Sequence, residues 1–169
     1  MSLQITNMEK LNKTISQLWN DDYVVPLYQR NFAWQEPQIQ QLIQDIYDHC
    51  HDNDTHYYIG SLVVIQRADG IYEVIDGQQR LTTLHLLCKT LGLLDIPHLS
   101  YDSRPEVEDF FRGLFESAST NEFSDECHKK DIRKIYRLVE AIDIIESTEI
   151  HTNIDGKNDA ITTIGTMSD

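Results

Sequence analysis

The chain has 169 residues, 40% hydrophobic and 25% charged, the make-up of one soluble globular unit that buries a core without disulfide or metal staples. Its 28 acidic and 14 basic residues leave a net charge of −14, which repels a nucleic-acid backbone except through a local basic patch, another domain or a partner. Cys50, Cys88 and Cys127 are odd in number and form no CxxC pair, which argues for a reducing cytoplasm over a secreted framework, and no apolar run reaches the length of a membrane span.

Thr14-Ile15-Ser16-Gln17 matches a capping box, so a short helix is predicted to run to about Trp19, where Asn20-Asp21-Asp22 breaks it. Tyr23-Val24-Val25-Pro26 reads as extended. Glu36-Pro37 is a helix start, and Ile39, Leu42, Ile43, Ile46, Tyr47 and Cys50 follow as one apolar stripe ending near His51. The β-branched and aromatic run Tyr57–Ile65 is a strand, Ala68-Asp69-Gly70 a turn, and Ile71–Ile75 its antiparallel partner. A helix over Thr82–Leu91 carries Leu84, Leu87, Cys88 and Leu91 on one face. A further strand is predicted over His98–Tyr101, and Pro105 opens a helix bearing Val107, Phe110, Phe111 and Leu114. Residues 116–128 read as loop. A longer helix over Lys129–Glu146 turns Ile132, Ile135, Tyr136, Val139 and Ile142 to the core, and residues 148–169 read as a frayed tail.

The chemistry concentrates in Ile75-Asp76-Gly77-Gln78-Gln79-Arg80-Leu81-Thr82-Thr83. An apolar strand ends at Asp76 and a helix follows, so unpaired N–H groups and the positive end of a helix dipole meet there. Gly77 permits close approach, while Gln78, Gln79, Arg80, Thr82 and Thr83 supply donors where an anion would sit. Arg80 can grip a phosphate with its planar fork. A plainer assignment makes Asp76 an N-cap and Arg80 its ion-pair partner. The second cluster, Pro26-Leu27-Tyr28-Gln29-Arg30-Asn31-Phe32-Ala33-Trp34, mixes aromatic and polar residues in a way that suits neither a solvated loop nor a pure core.

These two stretches, with Tyr58-Ile59-Gly60-Ser61 between them, resemble in order and spacing the GmrSD restriction endonuclease N-terminal domain family, most specifically over residues 25–91. The resemblance implies an α+β fold of the ParB/sulfiredoxin-like type: a small mixed or antiparallel sheet with a hairpin, packed by several helices. On that division residues 1–115 form the nucleotide-binding domain, and residues 116–147 a helical extension of the same unit. The resemblance further implies binding and hydrolysis of a nucleoside triphosphate with Mg²⁺, within systems that restrict modified phage DNA. Carried over by motif, Gly77, Gln78, Gln79, Arg80 and Thr82 hold phosphate, with Thr83 beside them, and Tyr28, Gln29 and Arg30 form the facing wall.

In the mechanism this suggests, Arg80 and Arg30 neutralise the phosphates, Asp76 orients water or holds Mg²⁺, and Gln79 positions the attacking water. The sulfiredoxin branch has a cysteine where Gln78 stands, so thiol redox chemistry is not expected. Family members that cut DNA usually carry a separate His-Asn-His nuclease domain, so the expected partners are a nuclease domain or partner subunit, with a homo-oligomer left open. Two other readings stand beside an NTPase: a nucleotide-gated interaction module, and a direct nuclease, which the acidic charge disfavours. His49, His51 and His56 near Cys50 read as surface or loop residues. His85 can face core or site, and Arg104 can reach towards the phosphates.

Overall fold

The computed structural model describes residues 13–50, 58–92, 99–130 and 132–148. Expectations for His51, His56, Tyr57, His98 and the tail from residue 149 lie outside them. Among the described residues six helices and four strands follow the order α1 (Ile15–Leu18), β1 (Tyr23–Val25), α2 (Glu36–Cys50), β2 (Val63–Gln66), β3 (Tyr72–Asp76), α3 (Gln78–Thr90), β4 (Leu99–Tyr101), α4 (Pro105–Glu116), α5 (Thr120–Lys130) and α6 (Tyr136–Ser147).

The architecture is α+β with a mixed sheet. Strand order is β2-β3-β1-β4. β1 is paired in parallel with β3 and β4, and β2 with β3 forms the antiparallel hairpin read from the sequence. The three-residue β1 therefore sits at the centre of the sheet. Its residues alternate between faces, as strand geometry requires. Tyr23 and Val25 join Tyr72, Val74, Leu99 and Tyr101 in the core under the helices. Val24, in register with Glu73 and Ser100, faces the opposite side and is still only 3% exposed. Its cover is polar: Arg67 donates to Glu73 on β3 (2.8 Å) and to Asp102 just after β4 (2.5 Å), so the guanidinium crosses β1.

The capping box at Thr14 forms in both directions, and α2 and α4 follow the apolar stripes and proline starts expected of them. Three boundaries differ. The hairpin's first strand begins at Val63, and residues 58–62 before it run as coil. Helix α3 begins at Gln78, four residues before Thr82, and is buried from Leu81 to Cys88 on every side, as befits a helix enclosed by the sheet and α6.

The third difference is a helix where a loop was expected. α5 covers residues 120–130, and Lys129 and Lys130 close it rather than opening α6. Its bonds to α6 are largely polar: Thr120 to Glu146, Ser124 to Asp143, and His128 to Asp143 at 2.7 Å. On α6 the buried residues are Leu138, Val139, Ala141, Ile142 and Ile145, preceded by Ile135. Tyr136, expected in the core, is 51% exposed. No helix among the described residues is long and apolar enough to cross a membrane.

Candidate functional site

The segments after β1, β3 and β4 meet at the carboxyl ends of the three parallel strands, where open α/β sheets place their ligands. β3 ends at Asp76, and Gly77 turns the chain into α3 with φ +91°. A side chain here would be strained, and its Cβ would stand 2.9 Å from the Ser61 carbonyl oxygen. Gly77 is the N-cap of α3, no side chain caps the helix, and no acidic residue lies in its first turn. The N-cap role considered for Asp76 is therefore not the one it plays, and the Arg80 guanidinium turns instead to the Ser61 carbonyl at 3.3 Å. The helix thus presents N–H donors and a positive dipole end beside Arg80.

Arg80 is seated on a second glycine. Gly60 has φ +123°, and a Cβ there would lie 2.7 Å from the guanidinium carbon. The Gly60 backbone is the floor on which the guanidinium rests. Tyr58 closes the same segment, its hydroxyl 2.8 Å from Ser61 Oγ. The sequence motif contained Gly60, but only the structure pairs it with Arg80.

The two glutamines tie α3 to the segment after β1. Gln78 Nε2 donates to the Arg30 carbonyl at 2.9 Å, while its Oε1 is buried with no hydrogen-bond partner. Gln79 Oε1 accepts from the Ala33 and Trp34 N–H groups at 2.8 and 3.2 Å, and its Nε2 donates to the Asn31 carbonyl at 3.1 Å. Gln29 Nε2 donates to the Ile75 carbonyl at 2.7 Å, beyond the point where β1 leaves the sheet. Phe32 is buried and Trp34 half-buried against the core, which accounts for their presence in a polar segment. Arg30 and Asp76 are exposed at the rim.

Three expected site residues stand elsewhere. Thr82 and Thr83 are fully buried: the Thr82 hydroxyl lies 2.6 Å from that of Tyr101, and Thr83 donates to the Gln79 carbonyl. Burial pushes the Tyr101 phenol up to about 12, against the opposing hydrogen bond with Thr82 and the charge of Arg104. Tyr28 is exposed, and its hydroxyl donates to Glu73 at 2.6 Å. That bond and the one from Arg67 hold the Glu73 carboxyl below the usual range. His85 faces the core, edge-on to Trp19 and Phe111. Arg104 grips the outside of the wall, donating to the carbonyls of Leu27 (3.1 Å) and Gln29, with its guanidinium 5.5 Å from the Tyr101 ring. No pattern in the sequence singled out Arg67, Glu73 or Asp102, because their partnership depends on strand order.

The site thus combines an uncapped helix start, a seated arginine and two glutamine-tied walls, an arrangement suited to an anion with polar substituents. The family model for the GmrSD restriction endonuclease, N-terminal domain, matches residues 8–165. The chain belongs to this family. Among curated proteins no relative matches it. Membership of the GmrSD N-terminal family is consistent with a module of a restriction system. Among the described residues no group of three or more His, Cys, Asp or Glu side chains could hold a metal ion. Among the described residues, Asp76 at the end of β3 places one exposed carboxylate beside the α3 start.

Proposed function

We propose that this domain binds a Mg²⁺–nucleoside triphosphate at the start of α3 and hydrolyses it, as the NTP-dependent module of a modified-DNA restriction system acting with a nuclease domain or partner subunit. The observation that carries the reading is Arg80 seated on Gly60 beside a helix start that no side chain caps. A triphosphate satisfies both, since phosphates accept from first-turn N–H groups and from a planar guanidinium. Arg30, exposed on the facing segment, adds a second cation. The orphaned Gln78 Oε1 is an acceptor suited to a hydroxyl or amino donor of the ribose or base.

Asp76 is the carboxylate that would hold Mg²⁺, which supplies charge neutralisation across the phosphate oxygens when bound. Water attacks the terminal phosphorus, the bond to the bridging oxygen breaks, and inorganic phosphate and the nucleoside diphosphate leave, with the proton of the water released to solvent. Positioning and charge supply most of such catalysis. Gln79, with its amide engaged by the 31–34 segment, serves as a strut.

That strut supports a second reading of the output. Gln78 and Gln79 connect the α3 start to residues 30–34, so an occupied helix start can reset that segment and gate a partner contact without turnover. A thermal-shift panel of ATP, GTP, CTP and UTP with Mg²⁺ tests binding through the rise in Tm. Arg80→Ala is expected to weaken binding roughly 10- to 100-fold, the loss of a charge-assisted bond worth about 1.5–3 kcal/mol. Unchanged binding and turnover in that variant reject the site. Phosphate release with and without modified DNA separates hydrolysis from gating.

A further inference from the structure

The acidic chain carries one concentrated basic run, and the fold places it on the turn between α5 and α6. Residues 129–137 hold Lys129, Lys130, Arg133, Lys134 and Arg137, with Asp131 the one acid among them. Lys129, Lys130 and Arg133 are exposed, and their side chains have no hydrogen bond or ion pair to any described residue. The other two cations are paired: Lys134 with Glu106 at 2.6 Å, and Arg137 with Glu140. The last turn of α5 carries His128, Lys129 and Lys130, with Asp125 and Glu126 exposed on the turn before it, and the first turn of α6 carries no acid.

From this charge distribution we propose that the α5–α6 turn is a docking surface for the phosphate backbone of duplex DNA, contacted by Lys129, Lys130 and Arg133. The net charge of −14 is no obstacle at close range. At physiological salt, charges more than about 8 Å away are largely screened, so a phosphate at this turn meets the three free cations first. The rest of the surface repels the duplex and so orients it. An acidic protein segment is the competing occupant, and a duplex fits better because its regularly spaced phosphates reward a compact cluster of flexible, unpaired cations.

The surface is joined to the candidate nucleotide site. Lys134 pairs with Glu106 in the first turn of α4, and Arg104, the N-cap of α4, holds the carbonyls of Leu27 and Gln29 in the facing wall. DNA on the turn would therefore lie one helix start away from that wall. The docking proposal does not depend on nucleotide turnover.

The test is fluorescence anisotropy of a labelled 30-base-pair duplex with the full chain across a KCl series. Three phosphate contacts predict a slope of log K against log[salt] of about −2.7. The double variant Lys130→Gln/Arg133→Gln should lower the magnitude of that slope by about 1.8, and Lys129→Gln alone by about 0.9. Lys13→Gln/Arg112→Gln removes the same charge elsewhere and should leave the slope unchanged. All substitutions are at exposed positions and should shift Tm by no more than about 2 °C. Absence of salt-dependent binding, equal losses in the two double variants, or displacement of the duplex by poly-glutamate at equal charge concentration overturns the proposal.

Discussion

Gly60 and Arg80 are fitted to each other: the guanidinium of Arg80 occupies the space a Cβ on residue 60 would need, 2.7 Å away. The substitution Gly60→Ala therefore acts on Arg80 at a distance of twenty residues in sequence. It must both strain a backbone at φ +123° and push the guanidinium off its seat. Expected is a loss of stability of about 1–3 kcal/mol together with a loss of nucleotide affinity matching Arg80→Ala. The double variant should bind no worse than either single one, since both remove the same group. Additive losses in nucleotide titrations would show that Gly60 and Arg80 act separately.

Gln79 tests whether the second glutamine is a strut or a catalyst. Its amide holds the N–H groups of Ala33 and Trp34 and the carbonyl of Asn31. Gln79→Ala should cost about 2–4 kcal/mol, a fall in Tm of roughly 5–12 °C for a domain of this size. Trp34 fluorescence should report release of the segment. A variant with native Tm and emission but no phosphate release would instead return Gln79 to the role of water-positioning residue.

These relationships show where the sequence was legible. Stripes such as Ile39, Leu42, Ile43 and Ile46 marked α2, and Val107, Phe110, Phe111 and Leu114 marked α4, because apolar periodicity is a local signal. The α5 helix lacked that signal, since Thr120, Ser124 and His128 are matched to acids on α6 that no local window contains. The start of α3 was placed late because Gln78 and Gln79 look solvated in sequence, whereas carbonyls and N–H groups 45–48 residues away bind the Gln78 amide nitrogen and both ends of the Gln79 amide inside the fold. The same long-range logic hid Arg67. Motif order located the candidate site, but not which of its polar residues face outward.

Thr82 illustrates the last point. It lies in the motif, yet it is fully buried and its hydroxyl is paired with that of Tyr101 at 2.6 Å. Thr82→Val keeps the shape and strands the Tyr101 hydroxyl, which should cost about 1–3 kcal/mol. Adding Tyr101→Phe should recover part of that loss, because both partners are then apolar. Nucleotide affinity measured below the melting transition should be unchanged in both. A tenfold weaker nucleotide in Thr82→Val, with an intact fold, would place the hydroxyl back on the phosphates.

Glu73 gives the domain a defined response to acid. Tyr28 and Arg67 both donate to its carboxylate, and their hydrogen bonds lower its pKa in the folded chain, with Tyr28 the larger cause. A carboxyl with a depressed folded pKa stabilises the fold above its unfolded pKa of about 4.3, and that contribution fades as pH falls through the folded value. Glu73→Gln should therefore melt below wild type at pH 7, and the gap should close as pH drops below about 4. Tyr28→Phe removes one of the two donors and should show the same convergence with a smaller gap, while Arg67→Gln also releases Asp102 and uncovers Val24, so its deficit should persist into acid. Thermal melts of the four proteins between pH 7 and 3.5 measure this. A Glu73→Gln deficit that stays constant over that range would mean the side chain contributes through its shape, with its charge adding nothing.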